Sequence, residues 1–266
     1  MLDRFNRSIN YLRISVTDRC NLRCRYCMPE EGIKLIRHED ILTFDEITAI
    51  TKEAVSMGVT KVRITGGEPL VRKNIVVLVS MLAGIEGITD LSMTTNGILL
   101  PDYAAGLAAA GLMRVNISLD TLDAEKFSYI TRGGEIGRVL EGIEAAQQAG
   151  LTPVKINCVI KSHTEEEDAL SVAEYCMIKG LEVRFIRQMD IAGGIFSVVH
   201  GGTGGHCSKC NRLRLSSDGV VRPCLFSDIG FSVRELGSKE ALLRAIGDKP
   251  ERGTVNRDNS FYNIGG

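Results

Sequence analysis

The chain has 266 residues and a formal net charge of −1, with 44% hydrophobic and 24% charged residues. That suits one large α/β core and excludes global steering toward nucleic acid or an anionic membrane. No apolar stretch approaches the length of a membrane span, and the polar N-terminus does not resemble an export signal, so a cytoplasmic protein is expected.

The elements alternate from the start. A strand is predicted over 11–16 and a helix over 43–57, opened by a Thr43/Glu46 capping box and closed by Gly58. Then come a strand at 61–65, a helix at 74–83, a strand at 90–95, a helix at 103–110 and a strand at 114–119. A helix at 138–149, a strand at 154–160, a helix at 165–179 with a second capping box at Thr164/Glu167, and a sixth strand at 181–187 complete the series. Strands alternating with helices imply crossovers and a parallel sheet. Six units fall short of the closed eight-unit barrel, so an open, partial (β/α)6 barrel is expected, with its chemistry at the carboxyl ends of the strands. After residue 189 the alternation stops. Residues 190–206 are Gly-rich and are predicted to be a linker. Residues 207–266 form a small C-terminal segment with a helix near 239–246. The expected organisation is therefore 1–189, 190–206 and 207–266.

Eight cysteines without an export signal argue against disulfides. Six of them fall in two tight groups, which points to metal or iron–sulfur ligation. Cys20, Cys24 and Cys27 share one loop directly after the first strand. Three thiolates hold three irons of a four-iron cube and leave the fourth iron open. That open iron can chelate the amino and carboxylate groups of S-adenosylmethionine (SAM), and one electron then cleaves the sulfonium to a 5′-deoxyadenosyl radical. Zinc structural sites usually pair Cys-x2-Cys with a fourth ligand, and none is near in sequence. Gly66 and Gly67, at the end of the second strand, would let backbone approach a ligand closely; the competing reading is an ordinary turn. Cys158 and Cys176 are expected to be plain buried thiols.

The run from Leu12 through Cys20, Cys24 and Cys27 to Pro29 resembles the MoaA family, the GTP 3′,8-cyclases of molybdenum cofactor biosynthesis. The segments Val62–Leu70, Thr94–Gly97, Val115–Asp120 and 184–186 are similar to it as well, as are the Cys207/Cys210/Arg212/Arg214 segment, Cys224 with its neighbours, and the terminal Ile264-Gly265-Gly266. Family members are longer, mostly around 190–206. The resemblance implies a radical SAM barrel and GTP cyclisation as the first step of molybdopterin biosynthesis. It implies SAM contacts from Tyr26, Gly67, Ser118 and Met189, and GTP contacts from Arg13, Arg63, Thr94, Lys155, Arg212 and Arg214. It also implies a second 4Fe–4S cluster on Cys207, Cys210 and Cys224, an electron donor, and a following enzyme of the pathway.

The residues read alone agree in part. Arg13, Arg63 and Lys155 sit mid-strand among apolar neighbours, and side chains alternate across a strand. A cation in such a run can point into a barrel lumen, where burial demands an anion. Several converging cations suit a polyphosphate; the competing reading is side chains that snorkel at strand ends. For the second cysteine group, zinc with His206 or His200 competes with an iron–sulfur cluster. Three functions stay open: GTP cyclisation, a radical SAM maturase with an auxiliary cluster, and a shortened, non-catalytic metal scaffold. The sequence leaves monomer or homodimer open.

Overall fold

The computed structural model describes residues 1–257 and 261–264, apart from the side chains of Tyr262 and Asn263. Six parallel strands follow one another in chain order: β1 (Tyr11–Ser15), β2 (Lys61–Thr65), β3 (Asp90–Thr95), β4 (Arg114–Ser118), β5 (Lys155–Ile160) and β6 (Glu182–Arg187). The crossovers carry α1 (Phe44–Ser56), α2 (Ile75–Ala83), α3 (Leu100–Ala109), α4 (Ala124–Thr131), α5 (Ile136–Gln148) and α6 (Glu167–Lys179). This is the open, partial (β/α)6 barrel.

Strand register sorts the side chains. Ile14, Ile64, Met93 and Val115 stand in one row across β1 to β4 and are all fully buried in the main core. One residue earlier, Arg13, Arg63, Ser92 and Arg114 form the next row. Successive side chains point to opposite faces, so the same strands give an apolar face to the helices and a cationic face to the lumen.

The Thr43 box is present: the Thr43 hydroxyl accepts from the Glu46 amide at 3.2 Å, and the Glu46 carboxylate accepts from the Thr43 amide at 2.7 Å. The Thr164 box is not. Glu166 spends its carboxylate on the backbone amides of Lys161, Ser162 and His163, closing a turn, and α6 begins after it. Helix α3 starts three residues earlier than expected because Pro101 is tolerated in the first turn. Helix α4 escaped sequence reading. It has eight residues and only Phe127 and Thr131 buried, too few for a periodic signal, although Asp123 caps Lys126.

The two C-terminal expectations change. Residues 190–206 fold back through antiparallel bridges, Asp190 to Ile195 and Phe185 to His200, instead of trailing as a linker. Residues 207 onward do not form a separate body. Strand β7 (Arg212–Leu215) adds in parallel beside β1, and β8 (Val220–Arg222) and β9 (Phe231–Ser232) extend the same sheet antiparallel. After the single turn α7 (Val233–Leu236), helix α8 (Ser238–Gly247) buries Ala241, Leu242, Ala245 and Ile246. A short final helix, α9 (Phe261–Ile264), ends the described chain. A second small core joins Ile191, Leu225, Phe226 and Ile264, with the Phe196 and Phe226 rings 4.5 Å apart. Among the described residues no helix is long and apolar enough to cross a membrane.

Candidate active site

One cavity of about 800 Å³ fills the lumen, within the range typical of small-molecule sites. Both cysteine sets line it.

The first set is built by backbone. The Gly67 amide donates to the Thr17 carbonyl and the Glu68 amide to the Arg19 carbonyl, each at 2.8 Å. A Cβ on Gly66 would lie 2.8 Å from the Thr17 carbonyl oxygen, and one on Gly67 2.4 Å from that of Arg19. These glycines therefore let the cysteine loop dock on the β2 turn, a reason distinct from ligand approach, although both also face the cavity. Arg132, at the end of α4, donates to the Arg23 and Met28 carbonyls and clamps the loop from the other side. The Glu68 carboxylate accepts from Leu70 N, Thr95 Oγ1 and Asn96 N. Burial nevertheless pushes its carboxyl up to about 7.

Burial also pushes the thiols of Cys20 and Cys24 up, to about 11 and about 12, and Cys27 further, with mutual repulsion adding to Cys24 and Cys27. Tyr26 donates to Asp120 Oδ2 at 2.8 Å, and the Val159 amide donates to Oδ1 at 2.8 Å. Burial pushes Asp120 up to about 6. Three half-buried thiols converging on one cavity gain if a polycationic centre replaces their protons, so the donor set fits an iron–sulfur cluster. Among the described residues no three His, Cys, Asp or Glu side chains group so as to hold a single metal ion.

Cys207, Cys210 and Cys224 line the same cavity beside Arg212 and Arg214. Burial raises Cys224. For Cys210 burial is outweighed, chiefly by the Lys249 ammonium, and the thiol is held below its ordinary value. His206 lines the cavity and His200 does not.

The remaining wall is cationic. Arg214, Arg13 and Arg63 are direct partners across β7, β1 and β2. Arg63 and Arg214 are only 7% and 8% exposed, and burial lowers the guanidinium of all three, with repulsion from neighbouring arginines contributing. Arg212 donates to Thr203 at 2.9 Å. Arg114 and Arg184 join them. With its amide oriented to satisfy both, Asn116 accepts from Arg184 at 3.0 Å and Arg63 at 3.2 Å. Asp90 is the one carboxylate among the described lining residues, and it pairs with Arg114 at 2.6 Å. Such an excess of buried positive charge fits a polyanion. Thr94 Oγ1 and the Tyr11 hydroxyl are buried there without a partner among the described residues.

Tyr26, Gly67, Ser118 and Met189 line the cavity, as do Arg13, Arg63, Thr94, Arg212 and Arg214. Lys155 does not. It lies on the same strand face as the lining residues Asn157 and Val159, but its ammonium pairs with Glu182, its register partner on β6. Alternation gave its face and not its height along the barrel.

A family model described as "Radical SAM superfamily" matches residues 14–176. A GTP 3′,8-cyclase of Geobacter sulfurreducens is 41% identical over 304 aligned positions, covering 95% of this chain and 93% of the relative. One from Alkaliphilus oremlandii is 44% identical, covering 95% and 94%. The chain belongs to the GTP 3′,8-cyclase family of radical SAM proteins. The first alignment is longer than the chain's 266 residues, so its GTP 3′,8-cyclase relative carries segments absent here. Two solved structures share the fold: methylornithine synthase, with a TM-score of 0.59 at 16% identity over 95% of this chain and 77% of that one, and anSMEcpe with bound AdoMet and a peptide, 0.63 at 16% over 91% and 81%.

Within this GTP 3′,8-cyclase family member, sequence reasoning missed Arg114, Arg184, Asn116 and Asp120. Arg114 and Arg184 occupy the same alternating strand positions that singled out Arg13 and Arg63, so the signal was present. Phe196, Ser197, Val199, Thr203 and the glycines at 202, 204 and 205 also line the cavity, so the shortened 190–206 stretch is part of its wall. Gly265 and Gly266 lie outside the described residues. The carbonyl of Ile264, just before them, accepts from Arg214 at 3.4 Å.

Proposed function

We propose that this chain converts GTP to 3′,8-cyclo-7,8-dihydro-GTP, with the first cysteine set and the second facing a common substrate between them. The observation that carries this reading is one cavity lined by two three-cysteine sets and by a row of buried arginines. Cys20, Cys24 and Cys27 would hold the 4Fe–4S cluster that binds SAM. Held there with SAM, the cluster would supply one-electron reductive cleavage of SAM and, through it, hydrogen-atom abstraction chemistry at the ribose. Tyr26, tied to Asp120, together with Gly67, Ser118 and Met189, would orient SAM. Arg13, Arg63, Arg212 and Arg214 would bind the triphosphate and ribose, and Thr94 offers a buried hydroxyl to a ligand. Orientation of this kind accounts for a large share of many rate enhancements.

Cys207, Cys210 and Cys224 would hold a second 4Fe–4S cluster with an iron open to the guanine. Lys155 belongs to this reading only through its strand. A cytoplasmic setting, an external electron donor and a following molybdopterin enzyme go with it. The scaffold alternative rested on the shortened connector; that connector's place in the cavity wall weighs against it.

The test is anaerobic reconstitution followed by incubation with SAM, dithionite and GTP. The expected products are 5′-deoxyadenosine and a compound of unchanged GTP mass but altered chromatographic position. SAM cleavage without any GTP-derived product would favour the maturase.

A further inference from the structure

The segment after α8 carries a buried cation that lies outside the cavity lining. Lys249 is 1% exposed. An ammonium has three N–H donors. Lys249 spends one on the carbonyl of Arg212 at 2.8 Å, one on the carbonyl of Pro223, and one toward the Cys210 sulfur. Arg212 lies two residues after Cys210, and Pro223 immediately precedes Cys224. A single ammonium thus binds together the two segments that carry two of the three thiols. Burial works against its protonated form, as does Arg7, while the charges of Cys210 and Cys224 favour it. A buried ammonium requires an anionic partner, and here that partner is sulfur.

Arg7 provides the comparison. Its guanidinium donates to the carbonyls of Cys207, Pro250 and Glu251 and so ties the same region. Asp3 neutralises it at 2.6 Å. Arg7 is therefore a latch without net charge, whereas Lys249 is a latch whose charge falls on the cysteine set.

We propose that Lys249 is a positioning residue for the second cysteine set, fixing Cys210 relative to Cys224 and placing a positive charge, paired with no carboxylate, beside any iron–sulfur cluster held there, which raises that cluster's reduction potential. The inference rests on the cluster reading above. Its physical basis is that hydrogen bonds to sulfur and local net charge set such potentials, and that a nearby cation favours the more negative, reduced form.

The experiment uses the full chain with Cys20, Cys24 and Cys27 replaced by Ala, so that only the second cluster contributes. Into it are placed Lys249→Met, Lys249→Gln, Lys249→Arg and Arg7→Met. Iron content and the midpoint potential are measured by redox titration followed by electron paramagnetic resonance. The expected result is a lower potential in Lys249→Gln and Lys249→Met, recovery in Lys249→Arg, and no shift in Arg7→Met even where it lowers thermal stability. Lys249→Gln retains an amide donor without the charge, so it keeps the test open where Lys249→Met fails to fold. An unshifted potential in Lys249→Gln, or an equal shift in Arg7→Met, overturns the proposal. Absence of iron from the parent of this series overturns the cluster reading itself, which is a separate outcome.

Discussion

Arg63 and Lys155 have the same sequence signature, a cation inside an apolar strand, and the structure separates them. Arg63 is buried against the lumen with Ser92 and Asn116 as partners, whereas Lys155 pairs with Glu182 away from the cavity lining. Arg63→Ala is expected to weaken GTP binding by about 10- to 100-fold, the equivalent of a lost charge-assisted hydrogen bond at roughly 1.5–3 kcal/mol, and to leave SAM affinity nearly unchanged. Lys155→Ala should change GTP affinity much less. Titration calorimetry with each ligand decides this, and equal effects of the two substitutions would return Lys155 to the cavity.

The docking of the cysteine loop on the β2 turn depends on the missing side chains of Gly66 and Gly67, the tighter approach being at Gly67. Gly67→Ala sets a methyl group 2.4 Å from the Arg19 carbonyl, a backbone atom that cannot swing away. The expected outcome is loss of iron from the first site with retention at the second, read from iron content and spectra; full occupancy of both would show that the loop yields. At the start of α6, burial raises Glu166, but the amides of Ser162, Lys161 and His163 outweigh it and hold the carboxyl at about 2, against an ordinary value of 4.5. A depressed carboxylate stabilises the fold above its unfolded value, and that stability is lost as pH falls toward the folded value. Glu166→Gln should therefore be less stable than the parent at pH 5, with the gap narrowing from pH 4.5 downward. Denaturant melts across that window test the sign, and a gap that widens on acidification contradicts it. The partial exposure of the group keeps the effect small.

Because β7 pairs with β1, the residues after 206 complete the sheet. The whole chain is expected to unfold in one cooperative transition, and a chain stopped at 206 should leave the β1 edge and its core face open and associate. Calorimetry and sedimentation of both chains check this; two separate transitions in the full chain would restore an independent C-terminal domain. The tail gives a further test. The Ile264 carbonyl accepts from Arg214, which lines the cavity, so removal of Gly265 and Gly266 should spare SAM binding and abolish cyclised product. Full turnover by the shortened chain would mean that the tail is dispensable.

The sequence by itself determined the strand–helix alternation, because hydrophobic period is a local property, and it determined the grouping of the first three cysteines, because all three lie in one eight-residue loop directly after a strand. It also determined that Arg212 and Arg214 share a face, since strand alternation needs only adjacent residues. The tertiary structure alone decided that the second cysteine set faces the first. That depends on β7 choosing the β1 edge about two hundred residues away, a pairing selected by burial over the whole chain and written in no local pattern. It likewise decided that α4 clamps the cysteine loop, that Gly66 and Gly67 serve backbone docking, and that residues 190–206 close a wall. Which lumen cations reach the cavity, Arg114 and Arg184 but not Lys155, depends on register between strands, and register is fixed only when the apolar rows of all six lock together in the core.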